Sequence, residues 1–399
     1  MKKVLFVAYG SGHINMLIPV AQALQSSGRA RAVVLALTTA APVAQAAGLD
    51  VYQFKDFVLP GDEAALAVGR QLVQGLHTPM LDEDESAAYL GLSYADLVDS
   101  VGAAAAQADY ALRGRQAFLP VRTLGRVIDR LRPDVVVATN SPRAERAAVV
   151  AARHSGIPAI CVVDLFAIDE VQWIGAPDYA DRVCVLNAVV RDFLVAAGRL
   201  PEQVVVTGNP SFDALNTPQM IEAGRALKAA QGWEDKTVIL WPTQVEPACH
   251  PFNGRPGKPA LPGRILQILT QWAAGRSDVV LCIRSRAGEP APLVPLHPRI
   301  VCTGQDWPLP ALLHASDWVV TLTSTVGLQG YLAGCQVLQL TGSVFDDAMP
   351  LARFGMTDAV ATEQTLASVL ERCTTAARRP AQTLVPATAA VLSQINAFL

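Results

Sequence analysis

A histidine at a glycine corner is the first residue in this chain placed to do chemistry. Val4-Leu5-Phe6-Val7-Ala8-Tyr9-Gly10-Ser11-Gly12-His13 passes from an unbroken apolar run into a glycine turn, and Ile14 to Leu24 then carry apolar residues at helical spacing. A short run apolar at every position fits a parallel strand buried on both faces. Gly10 and Gly12 let the backbone turn tightly and expose its N–H groups, so Gly12 is a candidate phosphate contact. His13 then stands at the carboxyl end of a strand, where open α/β sheets bind ligands. Its imidazole titrates near neutral pH and is suited to take a proton from a hydroxyl. The plainer role is to cap the first helix or to hydrogen-bond phosphates.

A second group of candidates lies in the other half of the chain. Thr321-Leu322-Thr323-Ser324-Thr325-Val326-Gly327 reads as a strand end, a hydroxyl-rich turn and a helix start. Ser324 and Thr325 could hold a diphosphate there, or Ser324 could serve as an ordinary N-cap. Arg284 and Arg286 follow an apolar run and could neutralise phosphate charge, or could be salt-bridged at the surface. Trp307 could stack on a nucleobase or anchor its loop from within. His77, His154, His250, His297 and His314 show no ligand spacing and read as structural or surface residues.

The elements that must position these residues alternate along the chain. Buried-strand patterns at Val4–Tyr9, Ala32–Thr38, Val135–Thr139, Ala159–Val163 and Val183–Leu186 are separated by helical stretches, including Ala40–Ala47, Ala87–Leu112 and Leu119–Leu131. Phe54–Asp84 is mixed and acidic and reads as a loop or lid. A second cycle opens at Val238–Thr243, continues through a helix at Leu261–Ala274, and adds strands at Val279–Arg284, Arg299–Cys302, Trp318–Leu322 and Gln336–Leu340. The expected class is α/β, with two Rossmann-like domains facing one another across a cleft. The expected bounds are 1–176 for the first domain, 177–210 for an irregular link, 211–380 for the second domain and 381–399 for a last helix that crosses back to the first.

Composition removes several classes. The 399 residues carry a net charge of −3 and no basic run, which speaks against nucleic-acid binding. Seven cysteines are scattered without a CxxC pair, which fits reduced thiols in a cytoplasmic protein and gives no zinc site. The opening apolar run is too short for a signal peptide, and no run approaches the length of a membrane span.

Four stretches together resemble UDP-dependent glycosyltransferases of the GT-B fold. Gly12-His13-Ile14-Asn15-Met16-Leu17-Ile18-Pro19-Val20-Ala21-Gln22-Ala23-Leu24 resembles their opening helix. Val204-Val205-Val206-Thr207-Gly208-Asn209-Pro210-Ser211-Phe212-Asp213 is similar to the linker of the peptidoglycan N-acetylglucosaminyl transferase and of UDP-N-acetylglucosamine 2-epimerases. Asp306 to Asp317 and Thr321 to Gly334 are similar to the donor-side segments. The resemblance implies a nucleotide-sugar donor, a UDP-sugar as co-substrate rather than a cofactor, and an acceptor that is a glycan, a lipid or a small molecule. It implies His13 as the base of an inverting transfer, oriented by an aspartate for which Asp96, Asp99 and Asp109 are the candidates. Thr243 and Gln244 would touch the diphosphate, and Asp346 and Asp347 the sugar hydroxyls. Gln329 stands where the family has a glutamate for the donor ribose, and Thr323, Ser324 and Thr325 replace its histidine and glycines.

No metal is called for, since helix N-termini and arginines can stabilise a departing diphosphate. A lipid-linked acceptor would bring the protein to the inner face of the cell membrane, with residues around Leu66–Leu76 as the contact. Two rivals remain. A 2-epimerase shares the fold and the Gly208-Asn209-Pro210 linker, although Gly10-Ser11-Gly12-His13 lacks the arginine and glutamate of the epimerase opening. A binding protein that has lost its chemistry would account for the altered donor loop. A dehydrogenase is disfavoured because the first turn has no GxGxxG.

Overall fold

The computed structural model describes residues 1–10, 12–74, 82–251, 253–286, 289–304, 306–373 and 378–399. The chain divides into two units, Met1–Ser211 with Val385–Leu399, and Phe212–Leu384.

In the first unit the elements run β1 (Lys2–Ala8), α1 (Gly12–Ser26), β2 (Ala30–Ala36), α2 (Ala40–Ala46), β3 (Asp50–Tyr52), α3 (Glu63–Val73), α4 (Glu83–Val101), α5 (Ala103–Arg113), α6 (Val121–Leu131), β4 (Val135–Ala138), α7 (Ala144–His154), β5 (Ala159–Val162), α8 (Val171–Ile174), β6 (Arg182–Val185), α9 (Ala188–Ala196) and β7 (Val204–Val206). The seven strands are parallel in the order β3-β2-β1-β4-β5-β6-β7. Val4 to Ala8 and Val135 to Ala138 are wholly buried, as central parallel strands covered on both faces must be. In α6 the buried residues Leu124, Val127, Ile128 and Leu131 share one face, which explains how a helix so rich in arginine packs.

Three segments differ from the sequence expectation. Residues 177–210, expected as a link, supply β6, α9 and β7 and complete the first sheet. Of these, β6 matches the strand expected at Val183–Leu186, whereas β7 has only three residues and is too short to announce itself by pattern. The helical stretch 87–112 is broken at Gly102, whose φ of +84° ends α4 and starts α5. The stretch 54–84 holds a 3-10 turn at Phe54–Phe57 and α3 rather than loop throughout, and of the Leu66–Leu76 patch the last two residues lie outside the described ones, as does His77.

The second unit contains α10 (Pro218–Ala230), β8 (Thr237–Pro242), α11 (Leu261–Ala274), β9 (Val279–Arg284), β10 (Ile300–Thr303), α12 (Leu309–Ala315), β11 (Trp318–Thr321), α13 (Thr325–Ala333), β12 (Gln336–Leu340), β13 (Ala359–Ala361) and α14 (Leu366–Cys373). Its sheet is also parallel, in the order β10-β9-β8-β11-β12-β13. The last helix, α15 (Ala387–Asn396), belongs to the first unit, where Val391 and Ile395 join the core formed by α1 and its neighbouring strands. Among the described residues no helix is long and apolar enough to cross a membrane.

Candidate active site

In each sheet the strand order reverses beside the first strand: between β1 and β4 in the first unit, and between β8 and β11 in the second. Ligands of open α/β sheets bind at such switch points, beyond the carboxyl ends of the strands. His13 follows β1 at the first of these, and Thr243, Gln244, Ser324 and Thr325 follow β8 and β11 at the second.

In the first unit, β1 ends in the corner that carries His13. A side chain at Gly10 would force Thr39 to move, because a Cβ at this position would lie 1.9 Å from Thr39 Oγ1. At Gly12 a Cβ would meet nothing within 4 Å, so no internal packing demands a glycine. His13 lies in the first turn of α1 and turns toward the end of β4. Its Nδ1 is 2.5 Å from Thr139 Oγ1 and 3.1 Å from each carboxylate oxygen of Glu145. Facing only oxygens, Nδ1 carries the proton, which leaves Nε2 to accept or donate one.

Glu145 is wholly buried in the first turn of α7, where the helix dipole favours a carboxylate. It accepts N–H bonds from Tyr9 at 2.7 Å and Ser141 at 2.8 Å. Burial would raise its pKa, but His13, Thr139 and the Tyr9 N–H outweigh that and hold it below the usual value. Burial likewise pushes His13 down, yet the charge and hydrogen bond of Glu145, with Asp164 and Glu170 beyond, raise it to about 9.

Asp164 Oδ2 lies 3.7 Å from His13 Nε2. It is fixed by a reciprocal pair with Asn140, which donates from Nδ2 at 3.0 Å and accepts the Asp164 N–H at 3.0 Å. Asn209 of the Gly208-Asn209-Pro210 motif donates to the Asp164 carbonyl at 2.8 Å, so this motif steadies the site loop. The same loop contains Ala167 with a left-handed φ of 54° and ends at Glu170, whose carboxyl burial pushes to about 7, helped by the charge of Asp164.

The expected aspartate partners of His13 are placed elsewhere. Asp96 accepts from Thr123 and Arg122, Asp99 pairs with Arg122, and Asp109 pairs with Arg113 one helical turn on. Each is used locally, and a glutamate from α7 takes the position beside the histidine. Sequence reading missed Glu145 because Arg143-Ala144-Glu145-Arg146 looks like a solvated helix start. Of the other histidines in the described residues, His314 donates from Nε2 to the Leu215 carbonyl and accepts from Arg378 at Nδ1, and His250 is buried against the Phe345 ring.

In the second unit, Gln244 bridges the switch point: its Oε1 accepts the Thr323 N–H at 2.7 Å, tying the end of β8 to the turn after β11. Thr243 Oγ1 accepts the Arg286 N–H at 3.1 Å. Ser324 is the N-cap of α13, accepting from Val326 N at 3.3 Å, while Thr325 is exposed and Gln329 lies one turn further along the helix. Gly327 and Gly330 let α13 lie directly on β11, since Cβ atoms there would meet Thr321 Cγ2 at 2.6 Å and Val319 Cγ2 at 2.5 Å.

The remaining candidates are largely occupied in holding loops. Arg284 is buried, and its Nη1 donates to the Trp307 carbonyl at 2.8 Å. Arg286 pairs with Glu289 at 3.1 Å. Trp307 is half-buried and meets Trp233 edge to face at 5.8 Å between ring centres. Asp346 accepts the Gly342 and Ser343 N–H groups at 2.7 and 3.2 Å, and exposed Asp347 pairs with Arg255. Glu246, not foreseen from sequence, is buried below the same loop and accepts Ser343 Oγ at 2.7 Å and the Val344 N–H at 2.8 Å.

No family model matches the chain, and no curated protein sequence matches it either. Solved structures do. The calicheamicin glycosyltransferase CalG4 is 16% identical with a TM-score of 0.60, covering 100% of this chain and 98% of its own. The MnaA–UDP structure from S. aureus is 13% identical with a TM-score of 0.59, covering 100% and 97%. The UDP-GlcNAc 2-epimerase of Neisseria meningitidis bound to UDP-GlcNAc is 13% identical with a TM-score of 0.58, covering 99% and 100%. Likeness over whole chains at so low an identity identifies an architecture, and this chain has the GT-B fold shared by these glycosyltransferases and 2-epimerases.

Proposed function

We propose that the protein transfers a sugar from a UDP-sugar to an acceptor hydroxyl with inversion, using His13 as the base. The observation that carries this reading is the His13–Glu145 pair, in which a buried carboxylate fixes the imidazole and increases its basicity while Nε2 remains for the substrate. The acceptor oxygen attacks the anomeric carbon, its proton passes to Nε2, and the bond from the anomeric carbon to the diphosphate oxygen breaks, releasing UDP. Glu145 stabilises the imidazolium that forms. In the second unit, Gln244, Ser324, Thr325 and Gln329 at the β8/β11 switch point are assigned to the donor, with Ser324 both capping α13 and offering its hydroxyl. Thr243 and the arginines Arg284 and Arg286 support the loops around them.

A second reading has its own support. Asp164 and Glu170 bring two further carboxyls to His13, and Glu170 is poised to exchange a proton near neutral pH. Such a set would also suit a 2-epimerase, which must break and remake a C2–H bond.

One experiment separates the two: incubation with UDP-N-acetylglucosamine or UDP-glucose in D2O, followed by NMR. Transfer to water releases UDP and the β-anomer from an α-linked donor. Epimerisation places deuterium at C2. A protein that neither binds UDP nor does either reaction overturns both readings.

A further inference from the structure

We propose that Arg143 and Arg146 form a subsite for an oxyanion, a carboxylate or a phosphate, carried by the substrate of the first unit. The inference rests on the reading of this unit as the half that holds the acceptor. The two arginines stand three residues apart at the start of α7, on either side of Glu145 in sequence. The Arg143 guanidinium lies 4.8 Å from the centre of the Tyr9 ring, at the β1 corner. That of Arg146 lies 5.1 Å from the Trp173 ring, in the short helix that follows the loop bearing Asp164 and Glu170. They therefore mark two borders of the His13 site.

Among the described residues neither is in an ion pair, and the Nε of each is buried without a hydrogen-bond partner. The indole N–H of Trp173, which is 5% exposed, also has no partner among those residues. An aromatic face attracts a guanidinium but leaves its in-plane N–H donors unused. Those donors form a fork that matches a carboxylate or phosphate. Glu145, the carboxylate closest in sequence, is engaged by Tyr9, Ser141 and His13. Arginines elsewhere in this unit are treated differently. Arg153 of the same helix pairs with Asp181 at 2.6 Å, and buried Arg199, although its Nε is likewise unpartnered, donates from Nη1 to the carbonyls of Ile174 and Ala176. Two guanidiniums with no ion pair among the described residues, beside a reactive histidine, fit an acidic substrate better than a neutral one.

The test is a calorimetric titration of the whole protein, at fixed ionic strength, with glucuronate, glucose 6-phosphate, glucose and UDP. The expected result is that one or both acids bind at least about tenfold more tightly than glucose, and that Arg143→Gln/Arg146→Gln removes the difference while UDP affinity is kept. The ratio of glucuronate to glucose 6-phosphate tells carboxylate from phosphate. Acids that bind no better than glucose, or a preference that survives in the double variant, overturn the subsite. So does a loss of UDP affinity in that variant, which would assign the arginines to the donor. Failure of the wild type to bind UDP counts against the donor reading alone. Arg143→Lys/Arg146→Lys, which keeps the charge, guards against misfolding and is expected to retain part of the preference.

Discussion

His13 Nδ1 lies equidistant, at 3.1 Å, from the two carboxylate oxygens of a glutamate 132 residues later in the chain. The contact exists because β1 and β4 are neighbours in the sheet, so the corner after one strand meets the helix that follows the other. A buried carboxylate raises the histidine to about 9, which keeps it mainly protonated at pH 7. The site therefore holds a strong base that is mostly protonated before substrate arrives.

For the reaction this fixes a sign. If His13 must be neutral to take the acceptor proton, kcat/KM increases with pH, about tenfold per unit below about 9, and levels above it. A pH–rate profile of UDP release checks this.

For stability the pair acts in a defined window. The contribution of His13, whose folded value lies above 6.5, is complete below that pH and fades as pH rises through about 9. The contribution of Glu145, held below 4.5, is present above that value and lost as pH falls through its folded value. Glu145→Ala is expected to cost about 3–5 kcal/mol near pH 6, and less above about pH 9. Denaturant titrations at the two pH values measure the difference.

The corner itself is tested at Gly10. Gly10→Ala places a Cβ 1.9 Å from Thr39 Oγ1 and is expected to cost about 1–3 kcal/mol. Thr39→Ala in the same chain removes that oxygen, and thermal unfolding is expected to show partial recovery.

In the second unit, neighbouring aspartates should behave unlike one another. Asp346 satisfies two backbone N–H groups, so Asp346→Ala is expected to cost about 1–3 kcal/mol and to weaken UDP binding by loosening the loop. Asp347 is 80% exposed opposite Arg255, and Asp347→Asn should change stability by less than about 1 kcal/mol. Chemical unfolding with UDP titration reads both.

Much of the architecture was legible because central parallel strands declare themselves. Val4 to Ala8 and Val238 to Trp241 are apolar at every position and buried at every position. His13, Gln244 and Ser324 could be placed at strand ends for the same reason. What could not be read depends on the order of strands in space. Glu145 is polar in a helix flanked by arginines, and only the pairing of β4 with β1 buries it. Glu246 follows the same logic beneath the loop after β12. Asp96 looked eligible because sequence does not show that Thr123 and Arg122 claim it.

The claim on which the function turns is that Glu145 makes His13 a strong base, and NMR titration of the His13 ring in the wild type and in Glu145→Gln tests it most directly. The expected wild-type pKa is about 9, falling well toward the ordinary 6.5 in the variant, where Asp164 and Glu170 alone oppose burial. A value near 6.5 in both proteins would contradict it.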